Sequence, residues 1–151
     1  MGSETTEAIL TPMELLESLD YLYVPAPDFE AAVAFYTGTL GGQLRWRIRH
    51  GSTWVAAVRL TDASPLMLLA NHLESGQLLL IYRARSLAEV EHALSNAGWP
   101  VEGSVFELPA GPCVIFRDPG GQRVAVYERV RPEVEAAFEG RFDELLFVGR
   151  L

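Results

Sequence analysis

Tyr21 and Tyr23 stand two positions apart, Ile81 and Arg83 repeat that spacing, and Arg123, Ala125 and Tyr127 extend it by one more step. In an extended chain, residues two apart project to the same side. The first set therefore presents two phenols, the second a hydrocarbon and a guanidinium, and the third a guanidinium, a methyl and a phenol. Trp46 and His50 share a face of the alternating run "QLRWRIRH" and add an indole and an imidazole. Apolar and aromatic walls carrying a few charged groups are how small-molecule sites are built. Rings stack on a flat ligand, and arginine pairs with a carboxylate or phosphate. Tyr21, Tyr23, Trp46, His50, Ile81, Arg83, Arg123 and Tyr127 are thus the candidate ligand contacts, for an aromatic or anionic small molecule.

Other reactive residue types are sparse. His92 lies mid-helix beside Glu91 and reads as surface, and His72 follows a strand and reads as a loop residue. Cys113 is the only cysteine, so it forms no internal disulfide; within an apolar strand it reads as an inert buried thiol. Neither a Ser-His-Asp set nor a Cys-His pair is evident. Asp118-Pro119-Gly120-Gly121 has the composition of a tight turn.

Asp plus Glu outnumber Lys plus Arg by 20 to 12, giving a formal charge of -8, so phosphate backbones and anionic lipid surfaces are repelled. Hydrophobic residues at 49% and charged ones at 21% give an ordinary globular composition, and 151 residues suffice for one compact core. The opening "MGSETTEAIL" lacks the basic start and apolar run of a secretory signal, and no apolar stretch approaches membrane-spanning length. The expectation is a soluble, cytoplasmic chain with neither nucleic acid nor membrane as partner.

The elements that position these residues follow from caps and alternation. Thr11-Pro12-Met13-Glu14 predicts a short helix over 12–17. A strand at 19–25 precedes a helix capped by Asp28 whose apolar face is Phe29, Ala32, Val33, Phe35 and Tyr36. Strands at 43–50, 53–60 and 65–71 follow, with Arg45, Arg47 and Arg49 read as a solvated face. The order then recurs: a strand at 77–84, a helix from the Ser86/Glu89 capping box to about Ala97, and strands at 100–108, 111–117 and 122–128. The predicted class is α+β, with two tandem βαβββ modules forming a curved mixed sheet around a concave pocket and short helices at both ends. Within one compact domain, residues 1–18 form an N-terminal extension, 19–72 and 77–128 the two modules, and 129–151 a C-terminal helix and tail. The helix begins at Arg131-Pro132-Glu133 and Gly140 can stop it; the apolar tail "ELLFVGRL" must pack on its own body or on a second subunit.

Paired βαβββ units, with "VPAPDFEAAVAFYTGTLGG" after the first strand and "FRDPGGQRVAVYE" near the end, resemble the vicinal oxygen chelate superfamily over about 19–128. That group includes glyoxalase I, extradiol dioxygenases, fosfomycin-resistance enzymes and bleomycin-resistance proteins. The resemblance implies a divalent metal held by His or Glu from the first strand of each module and a Glu on the last strand, leaving positions open for two substrate oxygens. Carried over one at a time, those places fall at Leu19 or Tyr21, at Leu79, and at Ala125. No metal and no other cofactor is therefore expected. A register shift of one residue brings in Asp20 or Glu128 but no donor beside Leu79.

The leading reading is a small-molecule-binding protein of the glyoxalase/bleomycin-resistance type that has lost the usual metal ligands and sequesters a drug or metabolite. The alternative is a glyoxalase-like lyase, isomerase or dioxygenase, metal-dependent through an unconventional site or metal-free through Tyr, His50 or Arg83. A structural or regulatory partner is a third reading. The resemblance, together with the apolar tail, also implies a homodimer.

Overall fold

The computed structural model describes residues 14–73 and 77–142. Eight strands run β1 (Leu16–Pro25), β2 (Gln43–His50), β3 (Thr53–Arg59), β4 (Leu66–Ala70), β5 (Leu79–Ala84), β6 (Glu102–Leu108), β7 (Gly111–Arg117) and β8 (Arg123–Glu128). They form one mixed, curved sheet in the order β2-β3-β4-β1-β5-β8-β7-β6. Its two halves repeat one arrangement, β1 parallel to β4 and β5 parallel to β8. The halves join through an antiparallel β1/β5 seam, so the two modules pair within one chain.

Helix α1 (Phe29–Ala34) starts at Asp28, whose side chain accepts from the Ala31 amide at 3.3 Å. After six residues it widens into a π turn, Phe35–Thr39, which an apolar-periodicity reading takes for ordinary helix. Helix α2 (Leu87–Asn96) has the expected capping geometry: Ser86 Oγ accepts from the Glu89 amide at 3.2 Å, and Glu128 Oε1 accepts from the Leu87 amide at 2.9 Å. Gly98, at φ +69, ends it. Both helices cover the convex face. Phe29 and Val33 of α1 pack on Ala56, Val58, Met67 and Leu69, and Leu87 and Val90 of α2 pack on Val114 and Val126.

Two local expectations are corrected. Of the helix expected over 12–17, Leu16 and Glu17 already belong to β1; Thr11 to Met13 and the tail from 144 lie outside the described residues. The arginines of β2 are also more than a solvated face. Arg47 alternates with Trp46 and so lies on the side of α1, where its guanidinium sits 4.6 Å from the Trp54 ring centroid and 5.1 Å from that of Phe29. There it pairs with Glu30 at 2.6 Å.

Helix α3 (Glu133–Phe138) lies on the opposite, concave face. The chain reaches it through Val130 and Arg131, whose amides both donate to the Ala110 carbonyl. The end of β8 and the start of this crossing leave no room beside β7: a Cβ built at Gly111 would meet the Glu128 carbonyl oxygen at 1.9 Å and the Val130 nitrogen at 3.1 Å. Beyond α3, Gly140 turns at φ +79, its amide donates to the Arg45 carbonyl, and the Arg47 amide donates to the Arg141 carbonyl. Gly140 and Arg141 are thereby strapped to β2.

Candidate functional site

Strand alternation carries Tyr21 and Tyr23 of β1, Trp46 of β2, Ile81 of β5 and Tyr127 of β8 to the concave face, where they line one cavity of about 80 Å³. Val55, Leu68 and Leu108 of the sheet and Pro109 and Ala110 of the β6–β7 turn complete the wall, and Val134, Glu135 and Phe138 of α3 form the roof. The Trp46 and Phe138 rings meet edge to face with centroids 5.1 Å apart, and Tyr21 and Tyr127 lie 6.1 Å apart.

The other sequence-predicted contacts lie elsewhere. Arg83 projects into a neighbouring cleft instead of the apolar cavity. Arg123, at the far end of β8, is held by Glu102 at 3.2 Å. His50 closes the β2/β3 hairpin opposite Thr53 and is absent from the cavity wall. His72, expected in a loop, sits in the turn after β4 but packs edge-on against Tyr23 at 5.7 Å, and desolvation lowers its pKa.

Two carboxylates that spacing did not single out finish the polar rim. A register irregularity between Leu19 and Tyr21 accompanies Asp20 reaching the concave side, although strict alternation would send it the other way. Its Oδ2 accepts from the Tyr127 hydroxyl at 2.5 Å, and its Oδ1 accepts from Ser18 Oγ at 2.5 Å. Glu135 comes from α3, and the Tyr21 hydroxyl donates to its Oε2. A sequence signal for α3 existed in Val134 and Phe138, four apart on one helical face, but where that face docks is a long-range matter.

Burial raises the phenol pKa values of Tyr21, Tyr23 and Tyr127 well above the ordinary range. The neighbouring Tyr127 and the bond to Glu135 add to the rise at Tyr21, and the bond to Asp20 adds to it at Tyr127. Near neutral pH the three are therefore hydrogen-bond donors and stacking surfaces instead of phenolate bases.

The same register tests the site for a divalent ion. Tyr21 pairs with Ile81 and Ile81 with Ala125, placing one phenol and two hydrocarbon side chains in a row across β1, β5 and β8; Leu79 lies diagonally beside it, opposite Tyr23. Leu19 pairs with Tyr82, which packs on the α2 side. Tyr21 is already bonded to Glu135, and the others carry no donor atom. Among the described residues no group of three or more His, Cys, Asp or Glu is placed to hold a metal. These residues do not fit such an ion.

The chain belongs to the Glyoxalase/Bleomycin resistance protein/Dioxygenase superfamily, whose family model matches residues 18–126. In structure it is similar to methylmalonyl-CoA epimerase from Mycobacterium tuberculosis, at TM-score 0.63 and 16% identity, over 83% of this chain and 96% of that one. It is also similar to hypothetical protein BH1468 from Bacillus halodurans C-125, at TM-score 0.61 and 14% identity, over 74% and 93% of the two chains. A catechol 2,3-dioxygenase matches at TM-score 0.55 and 20% identity, over 76% of this chain and 40% of that one. Likeness at these identities establishes the shared fold. None of the curated proteins matches the sequence.

Proposed function

We propose that the chain binds a small molecule with a flat apolar body in the concave cup, without a metal ion, and serves to sequester a drug or metabolite. The carrying observation is the aromatic and aliphatic lining by Tyr21, Tyr23, Trp46, Ile81 and Tyr127 at the place where Ile81 and Ala125 offer no metal donor. Arginines beside the cup suit an anionic group on the ligand. Metal analysis of protein purified without chelator, combined with native mass spectrometry, tests this reading. A retained organic molecule and no stoichiometric metal supports it; one equivalent of tightly held divalent metal per chain overturns it.

A second reading, a metal-free lyase or isomerase, is favoured by one observation. The short Tyr127–Asp20 bond lies at the edge of the cavity and joins a proton donor to a carboxylate. Turnover abolished in Asp20→Asn, with ligand affinity retained, would support it.

Among the described residues no helix is long and apolar enough to cross a membrane. A cytoplasmic location and a homodimer belong to this proposal, the latter supported by the exposed Phe142 that precedes the apolar tail. Light scattering reads the assembly directly.

A further inference from the structure

The cavity holds about 80 Å³ with α3 seated, whereas sites for drug-sized ligands run from about 300 to 1,000 Å³. The roof formed by Val134, Glu135 and Phe138 accounts for the small volume, because these side chains fill the middle of the cup. A ring of any useful size enters only if they leave.

Next to the cavity lies a cleft of about 280 Å³ lined by Asp20, Tyr21, Arg59, Leu66, Arg83, Arg129 and Glu135. Tyr21 and Glu135 are common to both spaces, so the bond between them is the partition. Three guanidiniums face this cleft. Arg129 Nη1 is 3.6 Å from Glu135 Oε1, and Arg83 Nε is 3.7 Å from Asp20 Oδ2 and 3.3 Å from Glu17 Oε1. Arg83 Nε is nevertheless buried without a hydrogen bond, since neither carboxylate is aligned to accept one. Arg59 donates to the Ser64 carbonyl and has no carboxylate partner among the described residues.

We propose that this arginine cleft is the subsite for the carboxylate of an aromatic acid, and that in the unliganded chain α3 occupies the ligand's place, Glu135 standing for its carboxylate and Phe138 and Val134 for its apolar body. This deepens, and rests on, the reading of the cup as a ligand site. The correspondence is of chemistry and position. A carboxylate accepts from Tyr21 and neighbours Arg129, while an aromatic ring three residues on packs edge to face on Trp46.

The helix is built to let go. It has six residues and no side-chain hydrogen bond at its N-cap, and it hangs between two anchors that can persist without it. One is Arg131, whose guanidinium donates to the Pro109 carbonyl at 2.7 Å; the other is Arg141, whose carbonyl accepts from Arg47. Gly140 at φ +79 supplies the pivot. A ligand acid replaces Glu135 at Tyr21 and Arg129, and the arginines of the cleft then face one carboxylate in exchange for another.

The test compares 4-nitrobenzoate with its neutral counterpart 4-nitrobenzamide, by calorimetry on the full chain and on Glu135→Gln, Phe138→Ala and Glu135→Gln/Arg129→Ala. The internal-ligand proposal expects Glu135→Gln to tighten 4-nitrobenzoate by roughly tenfold, equivalent to about 1.4 kcal/mol, with little change for the amide. Phe138→Ala should tighten both probes, and Arg129→Ala should cancel the gain given by Glu135→Gln. Equal affinities of both probes for Glu135→Gln and the parent overturn the internal-ligand proposal alone. Failure of every variant to bind either probe overturns it together with the reading of the cup as a site.

Discussion

The Tyr127 hydroxyl donates to Asp20 Oδ2 at 2.5 Å across 107 positions of sequence, tying the last strand of the second module to the first strand of the first at the rim of the cup. Tyr127 is fully buried, so removing its hydroxyl leaves Asp20 with Ser18 and the Arg83 ion pair and opens a small void. Tyr127→Phe should therefore lose about 1 to 2 kcal/mol of stability in a urea titration. An unchanged midpoint would mean that the rim bond contributes nothing to the joining of the modules.

Gly111 and Gly120 predict opposite outcomes for the same substitution. At Gly111 a Cβ meets the Glu128 carbonyl oxygen at 1.9 Å, and backbone cannot step aside, so Gly111→Ala should cost about 3 kcal/mol or abolish folding. At Gly120 the nearest atom is Asp118 Oδ1 at 3.5 Å, and Gly120→Ala should leave the melting temperature near that of the parent. A tolerated Gly111→Ala would contradict the close approach of Glu128, at the end of β8, to Gly111.

Burial pushes the Cys113 thiol up from 9.0 to about 12. Below pH 9 it is protonated in the folded and unfolded chains alike; between 9 and 12 the unfolded chain releases a proton that the folded chain keeps. Stability must then fall as pH rises through that window, and the buried tyrosines add the same sign above their ordinary value of 10.0. Ellman's reagent should label Cys113 at pH 8 only after denaturation. Rapid labelling of the native chain would contradict this placement of the thiol.

Arg83 faces the cleft and not the cavity, so it should discriminate by charge. Arg83→Ala should weaken a bound aromatic carboxylate by about 1.5 to 3 kcal/mol and leave its amide counterpart nearly unaffected, as read by calorimetry. Equal losses for both would assign Arg83 to packing, through its contacts with Glu17 and Asp20.

Much of this architecture was legible in the sequence because it is written locally. Asp28 and Ser86 cap their helices, Asp118 Oδ1 accepts from the Gly120 and Gln122 amides at 2.9 Å in its turn, and alternation in β5 and β8 turns Ile81 and Tyr127 to the concave face. The site was legible where strands keep their period and obscure where they do not. The register irregularity before Tyr21 accompanies Asp20 at the concave rim, and the one before Trp46 accompanies Arg45 pairing with Glu139 at the end of α3. Spacing announces neither, because a bulge is a property of two strands together. The place of α3 was equally hidden: Val134 and Phe138 declare an apolar face, but its partner Trp46 is remote in sequence.

The central claim, that this cup takes a small molecule without metal, is met most directly by the emission of Trp46, the tryptophan in the cavity wall. A variant carrying Trp54→Phe and Trp99→Phe isolates that signal. Titration with 4-nitrobenzoate should quench it saturably and to the same extent with or without a chelator. Quenching that disappears when chelator is added, or emission that never responds to the ligand, would contradict the account.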